Sequence, residues 1–316
     1  MDVRVMHKGC SSPDPCYPSI RRPIKAVLIV SAVYLTIPLL FLLAPSIISS
    51  SASRTEDTSL WIGERKKVIE VSVSDGKHLL VMPAEHLEDI AVDNNRNTVW
   101  VGTRREIIRY TLQGEEVFRY PLNIKDDSDN YSWESDDSDA DEVDSERVVH
   151  ISLSPAEDSL WIGAKDEVIK LSSDGQKLFD INLSPKVLIG EDIGHIQDVS
   201  VDVSDNSCWV GLKNKAIKYS SDGTPILTFN LEDGNKIQAL SADPLSNSLW
   251  LGTKKGIIKI NKNGLEEIRI SAIEDVQDLK IDFTDASLWL ITKKQVFRYS
   301  NSGDRLLYLK PCPEGG

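Results

Sequence analysis

Hydrophobic residues recur along this chain in a frame set by tryptophan. Trp61, Trp100, Trp161, Trp209, Trp250 and Trp289 each sit in a short apolar run such as SLWLG. Two residues later comes Gly63, Gly102, Gly163, Gly211 or Gly252, with Ile291 in the sixth case. Thirteen, ten and eight residues ahead of the tryptophan the later units keep apolar side chains: Leu87, Ile90 and Val92; Val148, Ile151 and Leu153; Ile196, Val199 and Val201; Ile237, Leu240 and Ala242; Val276, Leu279 and Ile281. Seven ahead stand Asp93, Ser154, Asp202, Asp243 and Asp282. Behind the tryptophan come IIRY, VIKL, AIKY, IIKI and VFRY, each followed by a turn glycine: Gly114, Gly175, Gly223, Gly264 and Gly303. Alternation with period two marks strands, an apolar run on both faces marks a sandwiched strand, and Gly with Asp or Asn marks the turns. Each unit therefore predicts strand, turn, tryptophan strand, tight turn, strand, glycine turn, strand.

The tryptophan spacings are 39, 61, 48, 41 and 39 residues. Taking out an insert of about 20 residues from the second and about 8 from the third leaves a unit of about 40, the size of a four-stranded propeller blade. One such sheet cannot bury both of its faces, whereas radial stacking covers each sheet with its neighbours. The pattern predicts an all-β, six-bladed β-propeller over residues 58–310, followed by a tail at 311–316. The first unit departs from the frame: its three upstream positions are Ile48, Ser51 and Ser53. Either a polar strand or a three-stranded blade would stand there.

NTVWVGTRREIIRYTLQG, DSLWIGAKDEVIKLSSDG and NSLWLGTKKGIIKINKNG resemble the repeats of the two-component-regulator propeller family and, more loosely, the NHL repeat. The resemblance covers roughly residues 58–310 and implies the propeller fold. Propellers of this shape include sensor ectodomains, extracellular scaffolds and a few ring-opening hydrolases or lyases, so the resemblance selects no single activity.

The N-terminal part changes the expected compartment. Residues 26–48, AVLIVSAVYLTIPLLFLLAPSII, carry no charge over 23 positions, and about 20 apolar residues span a bilayer as a helix. Arg21, Arg22 and Lys25 directly precede this stretch. That bias predicts a single-pass membrane protein with residues 1–25 as a cytoplasmic tail, 49–57 as a linker and the propeller exported, periplasmic or extracellular. A signal peptide cut after Ala52 is the alternative. The four cysteines, Cys10, Cys16, Cys208 and Cys312, have no metal or redox spacing, and Cys208 replaces Leu in an SLW phrase, a core position.

The formal net charge is −13, which argues against nucleic acid as a partner. The insert 125–147 holds eleven acidic residues, all between Lys125 and Arg147, and without that inner stretch the charge is −2. Against this neutral body, the residue four after each tryptophan is basic in all six units: Arg65, Arg104, Lys165, Lys213, Lys254 and Lys293. All six belong to turns that a propeller presents on one face, and a ring of like charge concentrates an anionic partner, either a protein segment or a glycan. The same residues would also serve simply to solvate exposed hairpins. The acidic insert opens on that face and is a candidate modulator of it.

A second constellation lies eleven residues ahead of the tryptophans, at the start of the innermost strands: Asp89, His150, Asp198 and Asp278, with Ala239 in the fifth unit. Convergent carboxylates and an imidazole suit calcium or another divalent metal, which would make the chain a lactonase-like metal-dependent hydrolase or lyase. Polar filling of a wet channel gives the same pattern without chemistry. No phosphate-cradling glycine loop, nucleophile elbow, kinase signature or metalloprotease signature occurs. The expectation is therefore a membrane-tethered binding or scaffolding module without catalysis, with the hydrolase as the alternative.

Overall fold

The period-two runs form antiparallel strands. The computed structural model describes residues 16–17, 59–64, 66–72, 77–122, 149–183, 194–232, 234–271, 273, 276–282, 285–292 and 295–311. A short strand β1 (Cys16–Tyr17) precedes the repeats. The first unit supplies β2 (Ser59–Glu64), β3 (Lys67–Ser72) and β4 (His78–Pro83). The second supplies β5 (Leu87–Asp93), β6 (Thr98–Thr103), β7 (Glu106–Thr111) and β8 (Glu116–Pro121), and the third β9 (Val149–Ser154), β10 (Ser159–Ala164), β11 (Glu167–Ser172) and β12 (Lys177–Asn182). The fourth is β13 (Asp198–Asp202), β14 (Ser207–Gly211), β15 (Lys215–Tyr219) and β16 (Pro225–Asn230). The fifth is β17 (Ile237–Asp243), β18 (Ser248–Thr253), β19 (Gly256–Ile260) and β20 (Glu266–Ile270), and the sixth β21 (Val276–Asp282), β22 (Ser287–Thr292), β23 (Val296–Tyr299) and β24 (Arg305–Pro311). Each unit is one sheet in chain order, and β1 adds a parallel strand outside β24.

Burial within a sheet follows the sequence frame. The tryptophan strands β6, β10 and β18 are buried at every residue, because each is covered on both faces. The outermost strands β8, β12 and β16 alternate between exposed and half-buried side chains. The turn into each tryptophan strand carries a left-handed residue three ahead of the tryptophan: Asn97, Asp158, Asn206, Asn247 and Ala286. Asn and Asp accept that conformation at small cost, which explains their recurrence there. The Asp seven ahead shapes the same turn: Asp93 accepts from the Asn95 amide, Asp202 from Ser204 and Asp243 from Leu245.

Neighbouring sheets bury their facing sides in five apolar clusters, joining units one and two, two and three, three and four, four and five, and five and six. The glycine after the tryptophan makes these approaches close. A Cβ on Gly163 would stand 2.7 Å from Val199 and 2.8 Å from Ile196, both on the next inner strand or its entry. Side chain is excluded at that position because the next unit's Val and Ile already occupy the space.

These sheets form an all-β propeller, and the expected six four-stranded blades need a correction. Five units have four strands of their own, whereas among the described residues the first has three, β2 to β4. Its upstream positions, Ile48, Ser51 and Ser53, lack the apolar frame that drives an inner strand into place. One consequence shows at the far end. Trp61, Trp100, Trp161, Trp209 and Trp250 are at most 2% exposed, but Trp289, which faces no next inner strand among the described residues, is only partly buried. Residues 26–48, 49–57 and the acidic insert 125–147 lie outside the described residues; among the described residues no helix is long and apolar enough to cross a membrane.

Candidate functional site

The turn between the second and third strands of each unit carries the basic position, as the frame requires. Arg104, Lys165, Lys213 and Lys254 all stand in these turns, while Arg65 and Lys293 lie outside the described residues. Backbone bonds tie the turns to the entry of inner strands: Ile196 donates to the Lys165 carbonyl, Ile237 to the Lys213 carbonyl and Lys254 to the Lys236 carbonyl. The basic turns and the connections between units therefore share one face.

Charge on that face is uneven. Arg104 donates from Nε to Glu88 Oε1 at 2.9 Å, and Glu88 is buried, so the second unit's cation is compensated. Lys165 is followed by Asp166 and Glu167, and burial raises the Glu167 carboxyl above its ordinary range. In the fourth and fifth units the balance tips. A cavity of about 620 Å³ is lined by Thr253, Lys254, Lys255, Gly256 and Arg269, and an adjoining one of about 330 Å³ by Lys213, Asn214 and Lys236. The two share Glu232, Gly234 and Asn235. Asn235 is buried and donates to Thr253 Oγ1 at 3.1 Å, which fixes the wall between them.

The channel residues Asp89, His150, Asp198 and Asp278 all lie on inner strands or at their starts, and Asp89 and Asp198 each accept from two backbone amides. Asp89 accepts from Ile90 at 2.8 Å and from Ile151, in the next unit, at 3.0 Å. Asp198 accepts from Val199 at 2.8 Å and from Leu240, again in the next unit, at 2.7 Å. Serines nine ahead of the tryptophan make the same link: Ser152 accepts from Val201, Ser200 from Ala242 and Ser241 from Ile281. These side chains staple each inner strand to the next. His150 Nδ1 is 3.5 Å from Asp198 Oδ1. Among the described residues no group of three or more His, Cys, Asp or Glu is placed to hold a metal ion.

In the sixth unit the staple serine is replaced by Lys280, and the channel electrostatics centre there. Burial raises the Asp278 carboxyl to about 7 in spite of Lys280, and burial likewise raises Asp89. Burial would lower the Lys280 ammonium, but Asp278, Asp198 and Asp89 outweigh it and hold it above its ordinary range. Three acidic side chains thus act electrostatically on one ammonium.

The frame contained a further set of cations, four of the five buried, that the sequence reading passed over. Across the hairpin from each tryptophan sits Arg109, Lys170, Lys218, Lys259 or Arg298, the basic residue inside IIRY, VIKL, AIKY, IIKI and VFRY. Their charged ends lie 4.8, 5.0, 5.8, 5.5 and 5.1 Å from the indole centroids, within cation–π range. Three also reach the next unit's outer turn: Arg109 donates to the Ser173 carbonyl, Lys170 to Ser221 and Lys259 to Asn301. They latch blades together. In the first unit Glu70 stands opposite Trp61 instead.

Burial pushes the Cys208 thiol far above its ordinary range, as a core position implies. No protein-family model matches the chain, and no curated protein matches it significantly.

Proposed function

We infer that this chain is a non-catalytic binding or scaffolding module whose contact surface is the basic face, in its fourth and fifth units above all. The carrying observation is that Lys236, Lys254 and Lys255 border two adjoining cavities with no carboxylate in ion-pair range among the described residues. Unpaired like charge in a concave place raises the local potential and favours an anionic protein segment or glycan. The repeat residues favour kinship with two-component-regulator propellers. Residues 26–48 favour a single membrane anchor with the propeller on the non-cytoplasmic side, and the acidic insert would modulate the face. The hydrolase reading using Asp89, His150, Asp198 and Asp278 has less in its favour, since Asp89 and Asp198 are committed to stapling backbone amides.

The same reading takes the ring as six units, with an inner strand ahead of β2. Asp278 accepts from the Leu279 amide as Asp89 and Asp198 do from Ile90 and Val199, yet no next-unit amide meets it among the described residues. Elsewhere a glycine after the tryptophan faces a Val, Ile or Leu ten residues ahead of the next tryptophan. Here Ile291 would face Ser51, the same pair with its sizes exchanged. Cysteines at both positions should form a disulfide on oxidation, read as a mobility shift on a non-reducing gel; no cross-link would reject the sixth inner strand.

The contact surface is tested by a photo-cross-linking residue placed at Lys254, compared with the outer-strand positions Leu178 and Ile226, in cells expressing the full chain. Adducts at Lys254 alone support the basic face. Adducts at Leu178 or Ile226 alone reject it.

A further inference from the structure

The repeats supply their own internal control for the basic face. In the second unit Arg119, nineteen residues after Trp100, is held by two carboxylates: Glu116 on its own strand and Glu106 across the hairpin. The corresponding arginine in the fifth unit is Arg269, nineteen after Trp250. Its Nε and Nη2 donate to Glu266 at 2.7 and 2.5 Å, matching the Glu116 contact. The counterpart of Glu106 is Gly256, so the second carboxylate is missing, and among the described residues no acceptor meets Nη1. Gly256 itself is fixed by the backbone: its φ is 137° and a Cβ would lie 2.1 Å from the Ile270 carbonyl oxygen. No side chain, acidic or otherwise, can take that place without moving β20.

What the absent carboxylate leaves behind is a cavity with a preset guanidinium. Glu266 fixes the plane of Arg269, and the cavity of about 620 Å³ beside it also takes in Lys254 and Lys255. Among the described residues its one lining carboxylate is Glu232, 80% exposed and 3.6 Å from Arg269, close enough to be displaced outward by a better anion. With Lys236 in the adjoining cavity, Arg269, Lys254, Lys255 and Lys236 border this acid among the described residues. A planar guanidinium and two ammoniums match the tetrahedral oxyanion of a phosphate or sulfate, and the volume lies within the range of pockets for small molecules.

We propose that the fifth-unit cavity binds a phosphate or sulfate ester of roughly monosaccharide size, through Arg269, Lys254 and Lys255. The proposal rests on the basic face being the contact surface and names the chemistry recognised there. The test is calorimetric titration of the full chain in non-ionic detergent with glucose 6-phosphate, glucose 6-sulfate, inorganic pyrophosphate and acetate. Saturable binding of at least one ester, weakened at least tenfold by Lys255→Glu and by Arg269→Gln but not by Arg119→Gln, supports it. Phosphate against sulfate is decided by which ester binds more tightly. Lys255 is exposed, so an unchanged melting temperature certifies that its variant is folded. Binding equal for all anions including acetate, or equal losses in Arg119→Gln and Arg269→Gln, overturns the proposal. If no ester binds while cross-links still form at Lys254, this proposal falls alone. If esters bind but cross-links leave Lys254, the wider reading falls and the site stands.

Discussion

Substituting alanine for the glycine that follows the tryptophan should cost stability in proportion to how near the next blade stands. At Gly252 an added Cβ would lie 2.6 Å from Val276 Cγ1 and 2.7 Å from Leu279 Cδ2. Carbon atoms rest at about 3.5–4.0 Å, so the methyl must displace its neighbours by roughly 1 Å. Overpacking of that kind costs about 1–3 kcal/mol, while removing glycine from a strand returns about 0.5–1 kcal/mol. Gly252→Ala should therefore lose on the order of 1–2 kcal/mol. At Gly102 the nearest atoms are 3.3 Å (Ile151 Cγ2) and 3.5 Å away, so the overpacking cost is small and Gly102→Ala should be near neutral. Calorimetric melts of both variants should differ by about 2–4 °C per kcal/mol for a domain of this size. A cycle with Val276→Ala adds a check: the second methyl costs less once the first neighbour is shortened. Equal shifts at the two glycines, or a Gly252→Ala variant as stable as the parent, would refute close blade packing as the reason for the glycine.

Three other outcomes follow from the same geometry. Asp198→Ala removes the acceptor for the Val199 and Leu240 amides and should cost about 1–3 kcal/mol in denaturant unfolding, because both amides lie buried between blades. Lys170→Ala should destabilise by a similar amount, about 1–3 kcal/mol, since it strips a buried contact to Trp161, Glu157 and the Ser221 carbonyl, while Lys177→Ala on the exposed outer strand should change little. Asp278 binds its proton more tightly folded, at about 7, than unfolded at its ordinary 3.8, so this group's contribution is present at low pH and is lost as pH rises from about 4 through 7. Asp278→Asn should flatten the fall in stability across that window, read from melts at pH 4.5, 6 and 7.5. An unaltered pH profile would mean that the carboxyl ionises freely beside Lys280.

Much of the fold could be read from residue periodicity because blade packing repeats the same demand every unit. A tryptophan sandwiched on both faces, a glycine under the next blade and an Asp or Asn in the tight turn each leave a residue type at a fixed offset. That the first unit has three strands among the described residues was foreshadowed by Ser51 and Ser53, where the apolar frame stops. The staples were not legible: Asp89 and Asp198 resemble metal ligands in sequence, and the Ile151 and Leu240 amides that donate to them carry no side-chain signature. Nor was the unevenness of the basic ring, since Arg104 is compensated by Glu88, sixteen residues earlier and outside the offsets that define the ring. The buried cations opposite the tryptophans were in plain view in IIRY and VIKL. The sequence assigns them no role because a Lys or Arg in an alternating strand ordinarily faces water, and only the indole across the hairpin shows otherwise.

The most direct measurement is the affinity of the full chain for the partner cross-linked at Lys254, taken across a salt series for the parent and for a Lys254→Glu, Lys255→Glu variant. Binding through an uncompensated basic cavity predicts at least a tenfold loss in the variant together with a flatter dependence on salt. Equal affinities and parallel salt curves would contradict the basic face as the contact surface.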